Sequence, residues 1–106
     1  MRNEQTLEKL FSISEGIGAR AMMGDHVVYF SGKVIGGVYD GRFMVKITPS
    51  SKIILDGAER AEPYDGAKPM LVVPDDFLRD EKKANRLFEA LATDLPPLKR
   101  KKSRPE

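Results

Sequence analysis

The chain has 106 residues, 41% hydrophobic and 32% charged, which gives room for one domain with one core and is too apolar for full disorder. It lacks cysteine, which excludes disulfides, thiolate metal sites and a cysteine nucleophile, and no apolar run approaches the length needed to span a membrane. The formal +2 charge is uneven: residues 1–94 carry 13 Lys/Arg against 15 Asp/Glu, whereas residues 95–106 carry five bases and one acid, so the body is mildly acidic and the basic character sits in the tail.

Met1-Arg2-Asn3-Glu4-Gln5 is followed by no apolar h-region, so no signal peptide is expected. Glu4 to Ser14 is predicted as a first helix, with Leu7, Leu10, Phe11 and Ser14 at helical spacing and Asn3 or Thr6 as its cap. Gly16 and Gly18 end it, and Ala19 to Asp25 is expected to be a connector. Three strands should follow as a meander: Val27 to Phe30, Val34 to Tyr39 and Phe43 to Ile47, separated by the turn signals Ser31-Gly32 and Asp40-Gly41. Alternation puts Val28 and Phe30 on one face and Val27 and Tyr29 on the other; it likewise opposes Phe43, Val45 and Ile47 to Met44 and Lys46. A sheet apolar on both faces needs cover on both. Gly36-Gly37 in the middle strand points to a bulge or a close backbone approach.

Thr48-Pro49-Ser50-Ser51 breaks the sheet. Ser50 or Ser51 can cap a short helix over Lys52 to Asp56, although Ile53-Ile54-Leu55 is equally readable as extended; Gly57 to Gly66 is a polar loop. Met70 to Val73 is an interior fourth strand ended by Pro74. Asp75 and Asp76 open a helical turn, and Asp80 caps the clearest helix, whose stripe runs through Ala84, Leu87, Phe88, Leu91, Ala92 and Leu95. Pro96-Pro97 terminates it. Residues 1–95 are thus expected to form a two-layer α+β domain, an antiparallel sheet of the three-strand meander plus at least one further strand, with the N- and C-terminal helices on one face. Residues 96–106 are expected to be a disordered basic tail.

An ordered set of segments carries a resemblance. Met22-Met23-Gly24 precedes the strand ending Tyr29-Phe30-Ser31-Gly32-Lys33; Phe43-Met44-Val45-Lys46-Ile47 follows; Pro63-Tyr64-Asp65-Gly66-Ala67-Lys68-Pro69-Met70 leads into the fourth strand; Val73-Pro74-Asp75-Asp76-Phe77-Leu78 and Leu95-Pro96-Pro97 complete the series. Over roughly residues 19–102 this resembles the N-terminal domain of the TfoX/Sxy family, bacterial regulators of natural competence. The resemblance implies a single-domain member with a two-layer α+β fold, no catalytic residues, and a role in transcriptional control of DNA-uptake genes, in some bacteria acting with the cyclic-AMP receptor protein. The full-length regulators carry a second, helical C-terminal domain where this chain has its basic tail, and Met23 stands where the family usually has an aromatic.

The candidate chemistry is sparse. His26, the sole histidine, is a general base by residue type, but no partner at catalytic spacing accompanies it, and a histidine at the start of a strand is the preferred reading. Asp75, Asp76 and Asp80 lack the ligand number of a calcium or magnesium loop and suit helix starts instead. Gly32, Gly36, Gly37 and Gly41 match neither phosphate-loop spacing and fit turns and a bulge. The loop bearing Tyr64 and Lys68 is either a pinned connector or a recognition edge. Lys99, Arg100, Lys101, Lys102 and Arg104 form either a solvated tail or a non-specific nucleic-acid contact.

The resulting expectation is a cytoplasmic, non-enzymatic regulatory or protein-interaction module without cofactor, metal, membrane anchor or evident small-molecule substrate. It binds a protein partner or a second copy of itself through a face made by Val27, Tyr29, Ile35, Met44, Tyr64 and Lys68. The alternative is a nucleic-acid accessory protein that uses its tail as an anchor.

Overall fold

The computed structural model describes residues 2–22 and 24–95, Arg2 by its backbone alone. The elements are α1 (Arg2–Ile13), β1 (Ile17–Met22), β2 (Asp25–Phe30), β3 (Lys33–Tyr39), β4 (Arg42–Val45), α2 (Pro49–Ile54), β5 (Arg60–Ala61), β6 (Met70–Val72), α3 (Asp75–Arg79) and α4 (Glu81–Asp94). The strands form one antiparallel sheet in the order β1-β2-β3-β4-β6-β5, and residues from all four helices pack with one of its faces. This is the α+β, two-layer arrangement expected from the sequence. The meander turns are those that Gly permits: Ser31 and Gly32 have φ of 53° and 81°, and Asp40 and Gly41 have 53° and 79°, the paired positive angles of a type I′ hairpin.

Two strands escape the sequence pattern. The expected connector Ala19 to Asp25 is instead β1, the turn at Gly24 and the start of β2, because Ile17-Gly18-Ala19-Arg20-Ala21-Met22 pairs residue for residue with β2 despite its poor strand propensity. Inside the expected polar loop, Arg60 and Ala61 pair with Leu71 and Met70. Asn3 and Thr6 do not cap α1; Asn3 Oδ1 accepts from the Gly41 amide, and Thr6 Oγ1 donates to the Gly41 carbonyl at 2.7 Å, tying the helix start to the second hairpin. The helix after the meander begins at Pro49 and is capped by Thr48, one turn earlier than expected. Thr48 Oγ1 accepts from Ser51 N (3.1 Å) while Ser51 Oγ accepts from Thr48 N (2.8 Å), a reciprocal capping box. Asp80 caps α4 as expected, accepting from Lys83 N at 3.2 Å.

The core lies between the helices and one sheet face. Leu7, Leu10 and Ile13 of α1 and Leu87, Phe88 and Leu91 of α4 meet Val28, Phe30, Val38, Phe43 and Val45. Phe88 anchors this layer, with its ring 5.6 Å from Phe30 and edge-on to Phe43 at 6.1 Å. Lys33 Nζ donates to the Ala92 and Leu95 carbonyls at 2.6 and 3.2 Å, placing a cation on the negative end of α4. At the same end of α4, Asp94 Oδ2 accepts from Ser50 N at 2.8 Å and joins α4 to the first turn of α2.

The middle strand sets which residues face which way. Val28 pairs with Gly36 and Tyr29 with Val34, so Ile35 is an extra residue on β3 and the alternation resets there. Ile35 therefore turns into the helix-covered core, fully buried, and does not belong to the opposite face where period-two counting puts it. Gly36 is the tight point: a Cβ there would overlap the Met44 carbonyl oxygen and lie 2.8 Å from Val45 Cα.

Gly36→Ala should therefore destabilise the fold by about 3 kcal/mol, because the obstruction is backbone and cannot rotate away; urea melts check this. The hydrogen bonds from the Ser50 backbone, then from the Thr48 and Ser50 hydroxyls, hold the Asp94 carboxyl below its ordinary 3.8. A depressed carboxylate supports the fold above its unfolded pKa, and that support is lost as pH falls through the lower folded value. Melting curves between pH 6 and pH 2 should thus show an acid loss that Asp94→Asn reduces.

Candidate functional site

The sheet face turned away from the helices is only partly covered. Cross-strand neighbours share a face, so Arg20, Val27, Gly37, Met44 and Val72 form one row across β1, β2, β3, β4 and β6. Tyr29 lies beside Gly18 and Val34, and Tyr39 beside Arg42, on the same side. Tyr39, Met44 and Met70 make a small second core with Ala61 and Val72 packed against it. Tyr39 folds back over Gly37, where an added Cβ would stand 2.6 Å from Tyr39 Oη and 2.6 Å from the His26 carbonyl oxygen. The bare Gly37 is thus the seat of the Tyr39 ring.

The segment between β5 and β6 then curls over part of this face. Tyr64 reaches back until its ring is 6.4 Å from that of Tyr39. An open cleft of about 720 Å³ remains between this segment and the strands. Val27, Val34, Tyr39 and Met70 line it, with Met22 and Tyr64 at 41% and 58% exposure, and its charged lining residues are Lys46 and Lys68. Leu95, drawn to β3 by Lys33, borders the same cleft. An apolar lining with two ammonium groups suits an extended apolar segment that carries a carboxylate.

The residues singled out from the sequence fall into four groups. Val27, Tyr64 and Lys68 line the cleft. Tyr29 lies on the same face next to Val34, while Met44 lies on that face but fully buried beside Tyr39 and Met70, so it supports the cleft without being offered to a partner. Ile35 is on the other face altogether. Lys99, Arg100, Lys101, Lys102 and Arg104 fall outside the described residues. Sequence reasoning missed Met22, because β1 was not seen, and missed Tyr39, Lys46 and Met70; the position of Tyr39 two residues after Gly37 is the signal that could have found it.

His26 is not among the residues lining the cleft. It pairs across from Val38 and so sits on the helix-covered side, with Nδ1 buried and without a hydrogen-bond partner. Among the described residues, no three His, Cys, Asp or Glu side chains group as a metal site, and no helix is long and apolar enough to cross a membrane. The perturbed acid in the cleft is Tyr39, whose phenol is raised above 10.0 by burial, then by the neighbouring Tyr64 and Asp25 charges. Because the folded value exceeds the unfolded one, its contribution to stability is present below pH 10 and is lost as pH rises beyond it. In an absorbance titration of the three tyrosines a late ionising component should appear, and Tyr39→Phe should remove it.

No family model matches the chain. It is 30% identical over 83 residues, 78% of this chain and 71% of the relative, to an uncharacterized 12.7 kDa protein in the trpE 5′ region of Spirochaeta aurantia.

Proposed function

The chain belongs to the family of this Spirochaeta aurantia protein, and we propose that it acts as a non-enzymatic interaction module in the cytoplasm, docking a protein segment in the cleft between the open sheet face and residues 62–69. The observation that carries the reading is the cleft itself: an apolar lining of Val27, Val34, Tyr39 and Met70, with Lys46 and Lys68 as its charged members. Burial of apolar surface supplies affinity there, and the two ammonium groups orient a carboxylate-bearing segment. The resemblance to the TfoX N-terminal domain supports placing the partner in transcriptional control, with DNA-uptake genes as the candidate target. His26 stands apart from the cleft, which favours recognition over bond-making chemistry there.

A displayed random-peptide library tests the reading with a defined probe. Peptides enriched on the protein should be apolar and carry Asp or Glu. The double reversal Lys46→Glu with Lys68→Glu should weaken them by about tenfold, a loss of roughly 1.4 kcal/mol. Tyr64→Ala should weaken them as well, and enrichment indifferent to all three changes would refute the site.

The second reading, a nucleic-acid accessory role, rests on the charge asymmetry, since residues 95–106 hold five of the 18 bases of the chain. In the same series, random duplex DNA is the probe and removal of residues 97–106 is the control. Five phosphate contacts would give a salt slope no steeper than about −4.5, and retention that survives the deletion would move the contact onto the body.

A further inference from the structure

Among the described residues, the sheet has one long unpaired edge. β1 is the outermost strand, six residues without proline or bulge, and its register with β2 runs unbroken from Ile17–Phe30 to Met22–Asp25. Ser31 N donates to the Gly16 carbonyl at 3.2 Å, which fixes the phase of the ladder. Backbone groups of successive residues alternate in direction, so Gly18, Arg20 and Met22 bond inward to β2, while Ile17, Ala19 and Ala21 aim theirs at the open edge. Ala19, Arg20, Ala21 and Met22 are all exposed, so nothing in the described fold covers that edge. An uncovered edge of this length is a template for another strand.

We propose that β1 pairs antiparallel with β1 of a second copy across a two-fold axis normal to the sheet, Ala19 opposite Ala19, giving one continuous sheet. Paired residues must point to the same face, so odd positions meet odd and even meet even. With Ala19 on the axis, Ile17 meets Ala21 of the second copy, and the outward-facing backbone groups of both strands bond to one another. The Ile17 amide, now 3.4 Å from the Ser14 carbonyl, is the one donor that must exchange partners. On the open face this register sets Arg20 against Gly18 of the second copy. Gly18 has open space where a side chain would stand, and its neighbour on β2 is Tyr29. Each Arg20 can therefore lie across the bare glycine toward the Tyr29 ring of the other copy, a cation–π arrangement. Moving the axis to Arg20 would oppose two guanidinium groups and shorten the ladder. Moving it to Gly18 would run β1 into the turn at residues 14–16. On the helix side the small Ala19 sits on the axis, and Ala21 meets the Ile17 of the second copy.

The occupant is thus a second copy of this chain, and the paired residues 17–21 are not among those lining the cleft. A strand-to-strand contact is small, so the dimer should be weak and reversible. Sedimentation velocity of the full chain, from low to high micromolar, should show a concentration-dependent monomer–dimer equilibrium. Ala19→Pro removes an amide turned away from β2, without a partner among the described residues, and should abolish the dimer, with the circular dichroism unchanged. Two substitutions at Gly18 read the register directly: Gly18→Glu, facing Arg20, should tighten the dimer about fivefold, and Gly18→Arg should weaken it about fivefold. A strict monomer at every concentration would overturn the proposal. So would equal shifts from the two Gly18 variants, or a dimer untouched by Ala19→Pro.

Discussion

The close approach of β3 to β4 at Gly36 governs the rest of the molecule. Only a residue without a side chain lets the Met44 carbonyl and Val45 Cα come that near. The extra residue accommodated beside it, Ile35, resets the alternation of β3. One consequence is on the helix side, where Ile35 joins Val28 and Val38 beneath α1 and α4. The other is on the far side, where Gly37 leaves space that the Tyr39 ring fills, and Met44 and Met70 complete a small apolar patch. Two adjacent glycines thereby apportion one strand between a closed layer and an open one.

What was legible in the sequence follows from how local each signal is. Asp40-Gly41 and Ser31-Gly32 announced the hairpins because positive φ is a property of a few residues and needs no tertiary context. The stripe from Ala84 to Leu91 announced α4, since helical spacing repeats over enough turns to stand out. β1 had no such signal. Glycine and alanine have little to pack, and their extended state comes from pairing with β2, a partner the strand finds through a turn. The two-residue β5 is too short to carry a period at all.

The candidate site was half legible for the same reason. Val27 and Lys68 could be placed by alternation and by the loop's composition, and both reach the cleft. Ile35 was misplaced because counting by twos carries an error past any bulge, although Gly36-Gly37 marked where such an error would arise. Tyr39 in β3, Lys46 just after β4 and Met70 in β6 come from separate segments and meet only because β6 lies beside β4 in the sheet order. No periodicity within one segment contains that fact.

The cleft and the free edge lie on one sheet, and that shared scaffold constrains how they act together. A two-fold axis normal to the sheet keeps both copies facing the same way, so pairing through β1 would place two clefts side by side on one surface. Met22, which borders the cleft, is also the last residue of β1, so the edge and the docking face meet at a single strand. A partner offering two apolar, acidic segments would then engage both clefts at once, and its second contact would form at the effective concentration set by the first. Monovalent ligands would gain nothing from it. Such an arrangement would select for partners that are themselves paired, a form of specificity that would arise from the symmetry of the sheet and from no individual side chain in the cleft.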